Sequence, residues 1–372
     1  MTRISAIDIR ACHRAADRLT SDALRGRSFS GLDFLVITMR TDTGLSASMF
    51  GFAGRSARGA AHQAADVLRP FFLGRNPFDR EALWHDFRVA DRWWGHLPIY
   101  AYGPFDVCCW LLCAQAAGQP LFEYIGAARR ELPTYGSSMV LPQAQDYADE
   151  ALALRAAGYK GYKLHPPGRD LGHDIACHAA VREAVGPDTA FALMSDPVAS
   201  CNLEQALRLG RALEKLDYHW LEEPLSDEHS HGLRELSRVL DIPVVGTEVL
   251  AKHPYSVADY VATRVVDRVR ADVSWTGGVT GTLKTARLAE AFGMNCELHT
   301  TIFAPLELAN LHVAAAIPNC EFFELLWPRE PFGFGLAGPL PVHAGVARPP
   351  AGPGLGMDLD WAEIDRCTLG TF

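Results

Sequence analysis

Six acidic or histidine residues recur along the second half of this chain at nearly constant intervals. They are Asp196, Glu222, Glu248, Asp272, His299 and Glu324. The intervals are 222−196=26, 248−222=26, 272−248=24, 299−272=27 and 324−299=25. Most of these residues lie at or near the end of a short apolar run, such as FALMSD or IPVVGTE. A strand, a helix and two loops take roughly 25 residues, a period typical of a repeated architecture. The pattern therefore predicts repeated strand–helix units whose polar residues meet at one rim.

Two further apolar runs, PTYGSS and YKGYKLH, raise the number of predicted strands to eight. Segments with helical spacing, such as CNLEQALRLGRALEKL, fit between the runs. Strands that alternate with helices indicate a parallel sheet, and eight of them indicate closure into a barrel. The competing fold, a doubly wound dinucleotide-binding sheet, requires GxGxxG after a first strand. The nearest approach is GGVTG at 277–281, which lies late in the chain and lacks this pattern.

The first 50 residues alternate apolar and polar positions, which predicts a three-stranded antiparallel sheet with a long connecting segment at roughly 15–31. PFDVCCWLLCAQAAGQPLFEYIG then predicts a buried helix, a stop and a second short helix. We therefore expect an N-terminal α+β domain over 1–130 and a barrel over 131–330. A Pro/Gly-rich segment over 331–372 is expected to pack back on the first domain.

Charge and composition exclude several classes of partner. The formal net charge of −9, without a basic block, disfavours nucleic acid. No apolar run approaches the ~18 residues that span a bilayer, and the N-terminal sequence lacks the apolar core of a signal peptide. The nine cysteines are scattered without a CxxC pair, which is typical of buried thiols in a reducing compartment. We therefore expect a cytoplasmic protein with no nucleic-acid or membrane partner.

Asp196, Glu222 and Glu248 are carboxylates at the ends of successive predicted strands. Like charges within a few ångströms raise one another's pKa values, so such a cluster needs a counter-charge. A divalent hard cation supplies it, and an all-oxygen site suits Mg²⁺ better than zinc. Alternatively, each carboxylate caps the helix that follows its strand. The equal spacing favours the metal site, with Glu222 pointing inward and Glu223 supporting it from the opposite face.

The remaining polar groups indicate proton transfer. Lys163 and His165 lie two residues apart, so both project from the same face of their strand. A lysine facing the barrel mouth needs an anion, the alternative being an ordinary surface lysine. Asp272 and His299 end neighbouring strands, so a hydrogen bond between them would fix the histidine tautomer. Glu324 could donate a hydrogen bond if protonated. Together with a metal, this set suits removal of a proton next to a carboxylate.

Over nearly its whole length the chain resembles the enolase superfamily, and within it the mandelate racemase subgroup. The resemblance rests on the DVCCW helix, WLEEP, GTE, ADVSWTGGVTG and the order of Asp272, His299 and Glu324. It implies an α/β fold, a (β/α)7β TIM-like barrel with an N-terminal α+β capping domain. It implies Mg²⁺ bound by Asp196, Glu222 and Glu248, a His299–Asp272 dyad, and Glu324 as an acid that contacts the substrate carboxylate. It also implies capping loops near 19–31 and 48–54 and a homo-oligomer, a dimer or an octamer.

One departure from the subgroup concerns the second strand, where the usual pair is Lys-x-Lys and the second lysine is the base. Here that position is His165, whereas Lys163 matches the first lysine, which is expected to contact the substrate carboxylate. The near-neutral intrinsic pKa of histidine suits a base, so we hypothesise that His165 replaces the lysine.

The predicted function is Mg²⁺-dependent abstraction of the α-proton of a small hydroxylated carboxylate. The resemblance implies a sugar acid that is dehydrated to a 2-keto-3-deoxy acid. Racemisation or epimerisation, and cycloisomerisation of a sugar lactone, are alternatives that use the same enolate. A non-catalytic carboxylate sensor is an alternative of a different class. The candidate substrate contacts are Arg25, Arg27, Phe52, Trp93 and Trp94.

Overall fold

Two β-sheets, one antiparallel and one mostly parallel, organise the chain. The computed structural model describes residues 2–20, 28–92, 97–187, 190–249, 255–300 and 302–372, with the side chains of 16–20 and 28–30 left out. Within these ranges, no helix is both long and apolar enough to traverse a bilayer.

The antiparallel sheet joins the two ends of the chain. Its strands are β1 (Ile4–Thr20), β2 (Ser28–Thr41), β3 (Ser46–Phe52) and β14 (Thr368–Thr371), in the order β14-β1-β2-β3. The sequence predicted only the first three, because β14 is short and gains its partner from β1 at the far end of the chain. The pairing of β1 with β2 continues to Thr20 and Ser28, so much of the segment expected to connect them is strand.

Helices follow the first three strands of this sheet along the chain, and the first and fourth of them pack against its strands. They are α1 (Ala57–Gln63), α2 (Arg69–Phe72), α3 (Arg80–Ala90), α4 (Ile99–Ala116) and α5 (Leu121–Ile125), with a π-helical turn at Ala64–Leu68. As predicted, α4 is a buried helix followed by a stop and the short α5. It packs against both β3 and a helix of the barrel, so it lies between the two parts of the molecule.

Eight parallel strands form the barrel. They are β4 (Leu132–Ser137), β5 (Gly161–Leu164), β6 (Ala192–Ser195), β7 (Trp220–Glu222), β8 (Val244–Gly246), β9 (Arg268–Ala271), β10 (Asn295–Leu298) and β11 (Phe323–Leu326). Between them lie α6 (Ala144–Ala156), α7 (Leu171–Val185), α8 (Leu203–Lys215), α9 (Ser230–Val239), α10 (Val257–Ala262), α11 (Gly278–Ala291) and α12 (Ala304–Ala316). The strands pair in chain order and β11 returns to pair with β4, which confirms the (β/α)7β architecture.

The seam between β10 and β11 closes the barrel without a continuous ladder. At its lower end the Cys296 N–H donates to the carbonyl of Asn319 at 2.8 Å. At its upper end the Thr300 hydroxyl donates to the carbonyl of Glu324 at 2.8 Å. Isolated hydrogen bonds of the strands and of the residues beside them therefore join the seam, including that of the Glu321 N–H to Glu297 Oε2 at 2.9 Å.

The last 50 residues contact both parts of the molecule. The hairpin of β12 (Val342–His343) and β13 (Val346–Ala347) pairs with the start of β4, and α13 (Trp361–Cys367) leads into β14. The Leu121 N–H donates to the carbonyl of Gly354 at 2.8 Å, which links this segment to α5.

The barrel interior carries a polar layer above an apolar one. Lys163, Glu222, Arg270 and Glu324 are each at most 1% exposed. A separate apolar cluster is formed by Tyr135, Met194, Trp220, Val245 and Phe322. Because the strands are parallel, the residues that follow them converge on the single rim above this layer.

Candidate active site

Three carboxylates converge at that rim. Asp196 directly follows β6, Glu222 is the last residue of β7, and Glu248 lies two residues beyond β8. Each offers one oxygen, and these oxygens all lie within 4.8 Å of one another. Asp196 and Glu222 are buried, whereas Glu248 is half-buried.

This trio is able to hold a divalent metal ion. Oxygens bound to one ion of the size of Mg²⁺, each at about 2.1 Å, are separated by at most about 4.2 Å, so only a small contraction is needed. The Asp196 Oδ1 atom accepts the Val198 N–H at 2.9 Å, and the Glu248 N–H donates to Glu223 Oε1 at 2.8 Å. The side chain of Asp196 and the backbone of Glu248 are thus held in place, and Glu223 supports the trio at Glu248.

The alternative role of these carboxylates as helix caps is wrong for two of them. The helix α8, which follows Asp196, is capped by Asn202, whose side chain accepts the Gln205 N–H. Both oxygens of Glu222 are taken up by side chains inside the barrel.

Lys163 supplies a buried counter-charge to the carboxylates. Its Nζ atom lies 2.7 Å from Glu324 Oε1, 3.1 Å from Glu222 Oε1 and 3.3 Å from Asp196 Oδ2. Burial lowers the pKa of the lysine, but the attraction of Glu222 and Glu324 outweighs it, so the pKa lies well above its ordinary value. Lys163 is therefore a fixed cation and not an exposed surface lysine.

Arg270, which the sequence analysis missed, is a second buried cation. Its Nε atom donates to Glu222 Oε1 and its Nη2 atom to Glu222 Oε2, both at 2.8 Å. Nη2 also lies 3.0 Å from the Tyr135 hydroxyl and 3.2 Å from Glu324 Oε2. A signal was present in RVRAD, since Arg270 lies two residues before Asp272 and shares the inward face of β9.

Glu324 lies on the eighth barrel strand, as predicted. Its carboxylate is inside β11, between Lys163 and Arg270. Burial raises the pKa of its carboxyl, but the attraction of the two cations outweighs burial and holds the pKa below its ordinary value. The side chain therefore accepts from both cations in this structure, and a hydrogen bond donated by protonated Glu324 stays a prediction.

Asp272 and His299 form the predicted dyad. The His299 Nδ1–H donates to Asp272 Oδ2 at 2.8 Å, while Asp272 Oδ1 accepts from the Ser274 N–H at 2.6 Å and from Asn310 Nδ2 at 2.9 Å. The free Nε2 atom of His299 lies 3.4 Å from Glu248 Oε1. Burial lowers the pKa of His299, but the charge of Glu248 and the hydrogen bond to Asp272 outweigh burial. The net result is a pKa raised to about 9.

His165 lies on the other side of the trio. Its Nδ1 atom is 2.7 Å from the carbonyl of Ser138, and its Nε2 atom is 3.1 Å from Asp196 Oδ2. The two ring nitrogens thus face protein acceptors, a carbonyl and a carboxylate. The replacement of the lysine base by His165 stays a prediction.

The expected substrate contacts are only partly described. Arg25, Arg27, Trp93 and Trp94 lie outside the described residues. Phe52 packs on Trp275, with ring centroids 4.6 Å apart, and Trp275 is 6.5 Å from the ring of His299. Phe52 therefore belongs to an aromatic wall beside the dyad, and Trp275 is a further member that the motif ADVSWTGGVTG contained.

Comparison with known proteins shows the family of the chain. Residues 146–363 match the family described as Enolase C-terminal domain-like. The chain is 29% identical over 356 residues to 3,6-anhydro-alpha-L-galactonate cycloisomerase of Streptomyces coelicolor, covering 91% of this chain and 93% of the relative. It is 28% identical over 264 residues to arabinonate dehydratase of Saccharolobus solfataricus, covering 70% of each.

A solved structure is similar over almost the entire chain. D-glucarate dehydratase from Agrobacterium tumefaciens, complexed with magnesium, is 32% identical, with a TM-score of 0.88 and coverage of 99% of both chains. The relatives are thus lyases and isomerases, and this protein is an enzyme of one of these two classes.

Proposed function

This chain belongs to the enolase C-terminal domain-like family, and from that premise we propose that it removes the α-proton of a hydroxylated carboxylate with the help of Mg²⁺. The preferred substrate is a sugar acid, and the preferred outcome is its dehydration to a 2-keto-3-deoxy acid. Support for the substrate class comes from relatives whose names are those of sugar acid dehydratases.

One observation carries the proposal: a histidine–aspartate dyad faces a cluster of three carboxylates that lie within 4.8 Å of one another. The Nε2 atom of His299 is 3.4 Å from Glu248, so the proton-transfer atom and the candidate metal ligands border the same space. A divalent ion held by Asp196, Glu222 and Glu248 would stabilise the negative charge of an enolate.

His299 is the proposed group for proton transfer. Its Nδ1–H is committed to Asp272, so only Nε2 is able to take the α-proton, and Asp272 stabilises the imidazolium that forms. Glu248 is the main group that raises the pKa of His299, so a divalent ion on the trio would offset that charge, lower the pKa and free Nε2 to act as a base. The same imidazolium then protonates the β-hydroxyl, whose C–O bond breaks to release water. The resulting enol tautomerises to the 2-keto-3-deoxy acid. Lys163, whose Nζ atom lies beside Glu324, is the proposed cation that binds the substrate carboxylate.

The test is a screen of aldonates and aldarates with Mg²⁺ in D₂O, followed by ¹H NMR and an assay for keto acids. Dehydration predicts a keto acid with deuterium at C3, and His299→Asn is expected to remove this activity. An absence of both keto acid and deuterium incorporation across the whole panel would contradict the proposal and favour a non-catalytic sensor.

A second candidate is 1,1-proton transfer, racemisation or epimerisation. It is favoured by the position of His165 beside Asp196, on the side of the trio opposite to His299 beside Glu248. A donor on each side could return a proton to the face opposite to the one that lost it. Deuterium at C2 with inversion and no keto acid would identify this reaction, whereas a changed ring without loss of water would identify cycloisomerisation.

A further inference from the structure

The N-terminus of α11 is capped by a residue from the N-terminal domain. The side chain of Asp106 on α4 is only 1% exposed. Its Oδ2 atom accepts the Thr280 N–H at 2.9 Å, and its Oδ1 atom accepts the Thr280 hydroxyl at 2.6 Å. A helix usually receives such a bond from its own N-cap side chain, but the N-cap here is Gly277, which has none. Asp106 replaces that side chain from 174 residues away.

Glycines on both sides allow this close approach. A Cβ atom at Gly278 would lie 2.5 Å from Asp106 Oδ2, and the φ of Gly278 is +81°, in the left-handed region. A Cβ atom at Gly103 on α4 would lie 3.0 Å from the carbonyl of Val273. The GGVTG segment, which superficially resembles a phosphate-binding loop, is therefore the surface on which α4 docks.

The hydroxyl of Thr280 extends the contact. It accepts the Nε1–H of Trp110, another residue of α4, at 2.8 Å and donates its own proton to Asp106. Asp106, Trp110 and Thr280 together are here called the α4–α11 contact. Its donors and acceptors are all satisfied, so it fixes the first turn of α11 relative to α4.

The segment between this contact and the dyad is tied together by hydrogen bonds. The Gly278 N–H donates to the carbonyl of Val273 at 3.0 Å. The Asp272 N–H donates to the Thr276 hydroxyl at 3.1 Å, and the Ser274 N–H donates to Asp272 Oδ1 at 2.6 Å. Residues 272–280 thus form one unit, with Asp106 at one end and the carboxylate that orients His299 at the other.

We propose that Asp106 is a positioning residue for proton transfer: by capping α11 through Thr280, it holds the 272–280 segment so that Asp272 meets His299 in the reactive orientation. The inference rests on the proposed function of the dyad. The candidate metal ligands lie at the ends of β6, β7 and β8 and share no hydrogen bond with the α4–α11 contact among the described residues. Asp106 is therefore expected to affect proton transfer and not metal binding.

Two variants and one matched control test this. Asp106→Ala removes both acceptors, and Thr280→Val removes the hydroxyl but keeps the backbone bond. Thr285→Val is the control, because it makes the same change on the same helix at a hydroxyl that has no hydrogen-bond partner. Three quantities are measured in each: hydrogen–deuterium exchange of the 272–280 amides, Mn²⁺ affinity by electron paramagnetic resonance, and kcat and KM on the sugar acid found by the screen.

For Asp106→Ala we expect faster amide exchange at 272–280 and a kcat lower by about 10- to 100-fold, the range for misplaced catalytic groups, with KM and Mn²⁺ affinity within about twofold. Thr280→Val is expected to lower kcat by about three- to tenfold, and Thr285→Val to change nothing. If Asp106→Ala does not fold, Thr280→Val decides. Wild-type kcat or protected amides in the variant that folds, or a parallel loss of Mn²⁺ affinity, would overturn the inference. If the wild-type protein turns over no sugar acid, the proposed function fails, whereas amide exchange still tests the positioning of the segment.

Discussion

The guanidinium of Arg270 donates to both carboxylate oxygens of Glu222, from Nε to Oε1 and from Nη2 to Oε2, at 2.8 Å in each case. Both side chains are fully buried inside the barrel. A planar guanidinium matches a carboxylate in this way, which a lysine cannot do. The pair orients one candidate metal ligand from below, on the side away from the rim.

Loss of Arg270 is expected to be strongly destabilising. Among the described residues, Arg270→Met leaves Lys163 as the one cation in ion-pair contact with Glu222 and Glu324. Breaking a buried pair in this way costs about 3–5 kcal/mol. The measurement is the free energy of unfolding in urea. Arg264→Met, at a side chain that is 71% exposed, is the control and should change the free energy by less than about 0.5 kcal/mol. Equal stabilities of the two variants would show that the Arg270–Glu222 pair contributes little.

Glu223 is expected to set metal affinity through the backbone of Glu248. Glu223→Ala removes the acceptor of the Glu248 N–H and should weaken Mn²⁺ binding by about 10- to 100-fold, as for other residues that orient metal ligands. Glu223→Gln keeps an acceptor oxygen and should retain most of the affinity. Calorimetric titration with Mn²⁺ gives both values. Equal affinity in the alanine variant and the wild-type protein would contradict this role.

Variants of His299 and His165 are expected to differ in the rate at which the substrate α-proton exchanges with D₂O, measured by NMR. His299→Asn should lose exchange by at least about 100-fold, because Nε2 of His299 is the proposed base. His165→Asn should retain exchange, because both ring nitrogens of His165 are held by protein acceptors, the Ser138 carbonyl and Asp196 Oδ2. The reverse result, with exchange lost only in His165→Asn, would restore His165 as the base.

Stability is expected to fall at acidic pH because of two buried neutral histidines. Burial lowers the pKa of His178 and of His312 to about 4, below the ordinary value of 6.5. His312 accepts the Phe122 N–H on Nδ1 and donates from Nε2 to the carbonyl of Leu355, so an added proton has no acceptor.

Each of these histidines has a lower pKa in the folded state than in the unfolded state. The stability that results is fully present above pH 6.5 and is lost as the pH falls from 6.5 through 4. The full loss is at most about 3.4 kcal/mol for each histidine, because the pKa falls from 6.5 to about 4 and each unit corresponds to 1.36 kcal/mol. Urea unfolding at pH 7 and at pH 5 measures it. His312→Gln should be less stable at pH 7 but should show a shallower decline. An unchanged slope in this variant would assign the pH dependence to other groups.

Much of the site followed from local pattern. Short apolar runs of about four residues indicated where the barrel strands lie. The structure places three polar residues directly after such strands, Asp196, Asp272 and His299, and a fourth, Glu222, at the end of one. The trio and the dyad could be predicted because parallel strands bring their ends to one rim. The regular interval was sufficient for this.

The ionisation and the hydrogen bonds of the site residues could not be predicted from local pattern. The ionisation of Glu324 depends on Lys163 and Arg270, which lie on other strands, and the hydrogen bonds of His165 depend on a carbonyl at Ser138. Periodicity reports which face a side chain occupies, but not which charges from distant segments lie beside it. Distances between such groups are set by packing.

The repeated spacing by itself determined the barrel, the rim and most of the polar residues placed there, because strand and helix periodicity are local properties of the chain. Only the tertiary structure decided that GGVTG receives α4, that Asp106 caps α11, and that two buried cations lie beneath the carboxylates. Each of these depends on hydrogen bonds or ion pairs between segments far apart in sequence, and their energies exist only once the barrel and the N-terminal domain have packed together.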